Sequence, residues 1–441
     1  MTSAADSILH PFAGEPNDGR SPAGGLTFSP VETVFFGTTR YGGTNNKGTI
    51  FRMKPDGSGY TVIHHFAGGP NDGEGPSGEL IVVGPKIYGT TFNGGPNNLG
   101  TIYRIDTDGA QLTLLHTFPA GTNDGTFPVG PLVLSSSTLY GVSEQGGNDN
   151  LGTIFKIDTS GANYGKLHDF VTGTSDGHLP IGGLALVGAT LYGTTAQGGT
   201  SGNNAGTIFR IDTGGAAYQL LYSFTGSHGD GYNPEHTLTV SGNTLYGVTN
   251  QGGTFGTGTI FKIAVNGSGY GVLYSFEGST GNDGHPASPV TVFKDHLMGT
   301  TDPIDINIPD VIYSIGLDGS GFGIIHRFNG GTMEGRDPLG NVVVISSTIY
   351  GVTSQGGTGS GVIYALELLK IVSVNHADDG HFVLSGQALP NSSVTTEFSP
   401  DLLTDFKFLD TTTADANGVF EYRDNVGIPS ASMKFYRAGY Q

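Results

Sequence analysis

The sequence predicts an all-β protein: a seven-bladed β-propeller over residues 1–369, closed by its own N-terminal strand, then a small β-sandwich over residues 370–441. Three observations carry this expectation. Apolar residues come in short runs rich in Tyr, Phe, Ile, Val and Thr, broken by Gly-rich turns, with almost no helical spacing. A Phe marker recurs at Phe12, Phe66, Phe118, Phe170, Phe224, Phe276 and Phe328, always 52 or 54 residues apart. A second marker, an aromatic or Met before Gly, keeps the same period at Phe36, Tyr88, Tyr140, Tyr192, Tyr246, Met298 and Tyr350.

The elements follow from one unit. In the fourth full copy, "GGLALVG", "TLYGTTA", "GTIFRID" and "YQLLYSF" read as four short antiparallel strands, the content of a propeller blade. The first copy begins inside a unit, because "SILHPF" matches the fourth-strand phrases "TVIHHF" and "LTLLHTF". The seventh unit ends after its third strand at "SGVIYALELL". The N-terminal strand is therefore expected to complete blade 7 and close the ring. Beyond Leu369 the phrase stops, and short strands separated by Asn-Ser, Asp-Gly and Asn-Gly turns predict the sandwich.

Composition narrows the function. Gly is 76 of 441 residues without a Gly-X-Y period, which excludes collagen. A net charge of −19 disfavours nucleic acid and anionic membrane as partners. The chain contains no cysteine, so disulfides, thiolate metal sites and a Cys nucleophile are excluded. No apolar run reaches the length of a membrane-spanning helix, and no membrane insertion is expected. The opening "MTSAADSILHPF" has neither the basic nor the apolar region of a signal peptide. A monomer is expected.

Most repeated polar residues have structural explanations. Asp18, Asp72, Asp124, Asp176, Asp230 and Asp283, with Glu334 in the last copy, all precede Gly in the same turn, where an acid bonds nearby backbone. They read as turn residues rather than a metal collar. His10, His64, His116, His168 and His326 share one fourth-strand register with Tyr222 and Tyr274. A position that takes His or Tyr alike wants a flat ring with a polar tip, not a ligand set.

The pattern of "DG-x-x-P", "LYG-TT-x-x-GG", "GTIF-K-I" and "LYSF" resembles the GloVer tandem repeat of exported bacterial proteins with varied C-terminal anchors. The likeness spans residues 7 to about 367 and implies a propeller and a secreted or cell-surface location; it brings no catalytic residues with it. The tail, ending "FYRA", is similar to the immunoglobulin-like modules that follow such repeats, although Phe406 stands where those often hold Trp.

Candidate functional residues are the places where the repeat breaks on the face carrying the long loops. Blade 5 reads "GDGYNPEHTL", placing Glu235 and His236 where other copies read Val-Gly or Ile-Gly. Blade 6 replaces "QGG" by "TTDPIDINIPDVIY", with Asp302, Asp305 and Asp310. After the Asp-Gly turn stand His178, Tyr232 and His285; Glu144 departs from its register; Arg40, Tyr41 and Arg20 lie in blade 1, and Glu74 and Glu79 in blade 2. The three acids of the blade 6 loop suit a hard cation such as Ca²⁺, though without the spacing of a dedicated loop; no cofactor is otherwise required.

Two functions remain open at this level. One is a binding protein whose polar face takes a polysaccharide, an oligosaccharide or a cell-surface partner through His178, His285, Asp302, Glu144, Arg40 and Tyr41. The chain has no Trp, so Tyr41, Tyr232 and Phe255 would supply the stacking rings. The other is a carbohydrate-active enzyme, a glycoside hydrolase or polysaccharide lyase, with Glu235, His236 and Tyr232 as acid–base groups.

Overall fold

The computed structural model describes residues 7–120, 124–173, 176–278, 283–302, 309–329 and 335–368, and beyond them 370–376, 382–388, 390, 393–399, 407–415, 418–423 and 435–440. No described residue is helical. Seven small antiparallel sheets stand in a ring, and each is a blade. Blade 2 shows the plan: Gly73–Val83 is innermost, followed outward by Lys86–Gly94, Thr101–Asp106 and Thr113–Thr117.

Closure is as the sequence predicts. Ser7–Pro11 pairs antiparallel with Val362–Glu367, with Ile8 opposite Tyr364 and Pro11 opposite Val362. The chain's first described strand is thus the outermost strand of its last blade, and every blade has a neighbour on both sides.

Seven hydrophobic clusters fill the seven junctions between blades. The one under blade 1, for example, joins Leu26, Phe35 and Phe51 of that blade to Tyr350, Val352 and Ile363 of blade 7. The repeated Gly after the aromatic marker is required by this packing. A Cβ on Gly193 would lie 2.4 Å from Cζ of Phe209, the aromatic of the facing "GTIF" strand, and Gly141 would meet Phe155 at 2.5 Å. Gly therefore lets a large ring lie flat across the neighbouring strand.

The Asp of each Asp-Gly turn is a clamp between blades. Asp18 accepts hydrogen bonds from the Ala13 and Gly19 amides (2.8 and 2.7 Å), from His10 Nε2 (2.9 Å) and from the Tyr60 hydroxyl (2.5 Å). His10 belongs to the outer strand of blade 7 and Tyr60 to blade 1, and their rings stack at 3.4 Å. His116 and Tyr164 do the same at Asp124, His168 and Tyr218 at Asp176, and Tyr222 and Tyr270 at Asp230. Burial works against the Asp18 charge, but its donors win and hold the carboxyl below its ordinary value. The structural reading of these acids and histidines is borne out wherever they are described; Glu334 lies outside the described residues.

The long-loop face is also as expected. Gly19, at the start of the innermost strand, pairs with Gly42, at the end of the second, so both long loops leave from one side. Blades 2, 3 and 7 have an unbroken innermost strand. In blade 5 it splits into Gly231–Tyr232 and Thr239–Ser241, and Glu235 and His236 occupy the gap. The tail forms two three-stranded sheets, Lys370–His376, Phe382–Gln387 and Val419–Arg423 in one, Lys407–Thr413, Ser393–Ser399 and Phe435–Tyr440 in the other. Leu384, in the first sheet, and Val394, in the second, are fully buried.

Candidate functional site

A cavity of about 490 Å³ occupies the channel mouth, lined by all seven blades. Its wall is mostly Gly, Pro and aliphatic: Pro22, Pro76, Val129, Pro131, Ile181 and Leu339 contribute. Five ionisable side chains interrupt it: Arg40, Glu79, Glu144, Glu235 and His236. All five were named from the sequence, and the ring closure brings them to one space from blades 1, 2, 3 and 5, with Glu235 and His236 sharing the same gap.

Glu235 is held in place by amides. Asn233 Nδ2 donates to one carboxylate oxygen at 2.7 Å and Asn250 Nδ2 to the other at 2.5 Å. Asn233 adopts a left-handed backbone (φ 63°), which Asn tolerates and which turns the chain so that Glu235 faces the mouth. Burial raises the Glu235 carboxyl above its ordinary value; the two amides oppose this, and the Glu144 charge adds to it. Among the described residues no Lys or Arg forms an ion pair with Glu235 or Glu144.

His236 stands in the register where five copies have Gly and blade 6 has Ser288. Burial pushes its imidazole down to about 4, with the nearby His285 ring acting in the same direction and Asn250 against it. It is neutral at pH 7, and its Nε2 is buried without a hydrogen-bond partner among the described residues. An unpaired buried nitrogen costs roughly 1–3 kcal/mol. Glu79 faces the cavity too; burial lifts its carboxyl to about 7 despite a hydrogen bond from Asn341 Nδ2 at 3.2 Å.

Not every predicted residue joins this space. Tyr232 lines a separate groove of blade 5 with His228, Thr254 and Phe255, whose ring is 52% exposed. The expected trio of Glu235, His236 and Tyr232 is therefore split, because the turn at Asn233 sends residues on either side of it to different surfaces. His178 occupies the same outer register as Tyr232, opposite Gln197, and does not line the cavity. Tyr41 stays outside, 43% exposed, with the Arg20 and Arg40 guanidinium groups over its ring at 5.4 and 5.9 Å. Arg40 also covers Phe92, which stacks on Phe127 at 4.8 Å, so one edge of the mouth is cationic and aromatic. His285 lies opposite Asp302 in the blade 6 ladder.

The acidic loop of blade 6 is partly rearranged from expectation. Asp302 and Asp310 do come together, but Asp305 lies outside the described residues, and the third acid beside them is Asp337 of blade 7. The sequence signal for Asp337 was present and unread: the other copies hold Ser21, Gly75, Phe127, Leu179 and Asn233 at that place. Asn250 was missed likewise, because only the geometry shows that its amide serves Glu235.

Fold and site together define a seven-bladed β-propeller whose largely apolar mouth is set with a few ionisable side chains. Residues 1–205 and 190–364 match the model of the Gloeobacter/Verrucomicrobia repeat, and the chain belongs to that family. No curated protein matches it. Among solved structures, an oligogalacturonate lyase in complex with manganese is similar at 11% identity, covering 83% of this chain and 98% of that one, with a TM-score of 0.51. A puromycin hydrolase is similar at 12% identity and the same TM-score, covering 89% of this chain but 62% of its own length. At these identities the likeness is one of fold.

Proposed function

We propose that the protein is an exported binding protein that takes a hydroxyl-rich ligand, such as an oligosaccharide or a glycan chain end, in the channel mouth. The observation that carries this reading is the Glu235 carboxylate, fixed by two amides, sharing the cavity with Glu144, and without a cationic partner among the described residues. Carboxylates so placed accept hydrogen bonds from hydroxyls, and the Pro, Val and Leu wall suits the CH faces of a sugar ring. Arg40 over Phe92 supplies a donor and a flat surface at the rim. The groove beside Tyr232 and Phe255 offers a further stacking place for an extended chain. The C-terminal strands would act as a spacer or docking module.

One observation favours a second reading, an enzyme. A carboxyl raised by burial and by a second carboxylate, next to a neutral imidazole, is the pattern from which acid–base pairs are built. Hydrolysis would use Glu235 and Glu144; elimination from a uronic acid would use His236 as base.

The experiment is a panel of neutral and uronate polysaccharides, scored for retention by affinity electrophoresis and for reducing ends or unsaturated uronate. Retention without turnover, lost in Glu235→Gln, supports the binding reading. Turnover lost in that variant supports the enzyme. Retention and turnover both unaffected by the substitution would sink the site.

A further inference from the structure

We propose that Asp302, Asp310 and Asp337 form a binding site for a hard divalent cation of the Ca²⁺ class at the junction of blades 6 and 7. One carboxylate oxygen from each lies within 4.8 Å of the others, the spread that three oxygens around one such ion adopt. Clustered acids alone would not make a site. Here the central one, Asp310, is 1% exposed and its Oδ1 has no hydrogen-bond partner among the described residues, which leaves a buried, unsatisfied acceptor on a member of the cluster. A buried carboxylate oxygen without a donor or cation is costly, which is reason to expect a ligand there.

The repeat shows how the site arose. In the other six blades the Asp310 register is Gly48, Gly100, Gly152, Gly206, Gly258 and Gly361, with φ between 96° and 104°. At five of the other junctions a carbonyl next to that Gly accepts an amide from the following blade: Lys47 from Gly75, Leu99 from Phe127, Leu151 from Leu179, Ala205 from Asn233, Ser360 from Ser21. At the junction of blades 6 and 7, Asp310 Oδ2 takes over, accepting the Asp337 amide at 2.7 Å. That staple explains one oxygen of Asp310. It leaves Oδ1 over, and it does not explain why the residues at the two flanking registers are also Asp.

The surrounding charge agrees with a cation. Arg336 is close enough to act on both Asp302 and Asp310, and His285 on Asp302; against them stand three carboxylates within 4.8 Å of one another. Three carboxylates gathered within 4.8 Å repel one another unless a cation stands between them. All the ligands are oxygens, which selects Ca²⁺ over softer metals. This site does not depend on the ligand assigned to the mouth.

The test uses the full chain after chelation, titrated with CaCl₂ and, in parallel, MgCl₂, followed by calorimetry and thermal melting. Saturating Ca²⁺ is expected to raise the melting midpoint by several degrees, with a smaller effect of Mg²⁺. Asp310→Asn keeps an acceptor for the Asp337 amide and is expected to weaken Ca²⁺ binding at least about tenfold. Asp302→Asn, which leaves that staple alone, gives the same loss and carries the test should the first variant unfold. Absence of heat and of any melting shift in the wild type at about 10 mM Ca²⁺, or undiminished binding in both variants, overturns the proposal.

Discussion

The clamp ring and the mouth ring are built from the same seven copies, and they diverge in opposite ways. At the clamps the copies stay alike: an acid takes amides from its own turn and a ring from the preceding blade at junction after junction. At the mouth one register reads Arg40, Phe92, Glu144, Ala196, Asn250, Asp302 and Ser354, seven different residues. Blades 4 and 5 make the contrast sharp. Blade 4 has Leu179, Ile181, Gly182 and Ala196 where blade 5 has Asn233, Glu235, His236 and Asn250. These four positions change together: Asn233 and, from the next strand, Asn250 both donate to Glu235, and His236 lines the mouth beside Glu235. Positions that hold the ring together are limited by packing; positions around the mouth are free to be chosen for chemistry.

The largest test of this contrast is the closure. Removing residues 1–12 deletes the strand that covers Val362, Ile363 and Tyr364 and takes away Phe12, all buried. Aggregation or a collapse of the melting midpoint is expected; an unchanged melt contradicts a closed ring. The next effect separates two clamps. Asp18 is held below its ordinary value by its donors, whereas burial keeps Asp283, which has Tyr274 in place of His, above it. Asp18→Ala strands four donors and should cost about 3 kcal/mol or more near neutral pH, against a smaller loss for Asp283→Ala. The Asp18 contribution is present above the unfolded value near 3.8 and disappears as pH falls through the lower folded value. Urea melts of both variants at pH 7 check the order, and equal losses would contradict it.

Glu79 provides a smaller effect of opposite sign. Its folded value of about 7 lies above the ordinary 4.5, so its contribution is complete below that ordinary value and lost as pH rises through 7. Glu79→Gln should therefore be more stable than the wild type at pH 8, by about 1–2 kcal/mol, and indistinguishable from it near pH 4. Denaturant titrations at the two pH values decide it; a variant less stable at pH 8 would mean that the ionised Glu79–Asn341 pair supports the ring.

Much of the fold was legible because a repeat turns one structural constraint into seven observations. The Phe and Tyr-Gly markers fixed blade number, strand order and closure, and the shared His/Tyr register disclosed a structural role before any geometry. The site was legible only as a set of departures. Which departures meet depends on backbone turns that sequence spacing does not show: Glu235 and Tyr232 are three residues apart, yet Asn233 separates their surfaces. Partners recruited from another blade, such as Asp337 for Asp310, become visible only when the copies are set in register across a junction.

The central claim is that blade 5 gives up packing for a polar group with a function. Replacing Glu235 by Ile, His236 by Gly and Asn250 by Ala installs the residues of blade 4 and removes the Glu235 carboxylate, the unpaired imidazole nitrogen and the amide between them. Melting and polysaccharide retention measured on this triple variant test the claim most directly. The account predicts a folded ring that melts no lower than the wild type and no longer retains the ligand that the wild type retains. A variant that melts well below the wild type yet retains the ligand as well would show that these residues belong to the scaffold and that the site lies elsewhere.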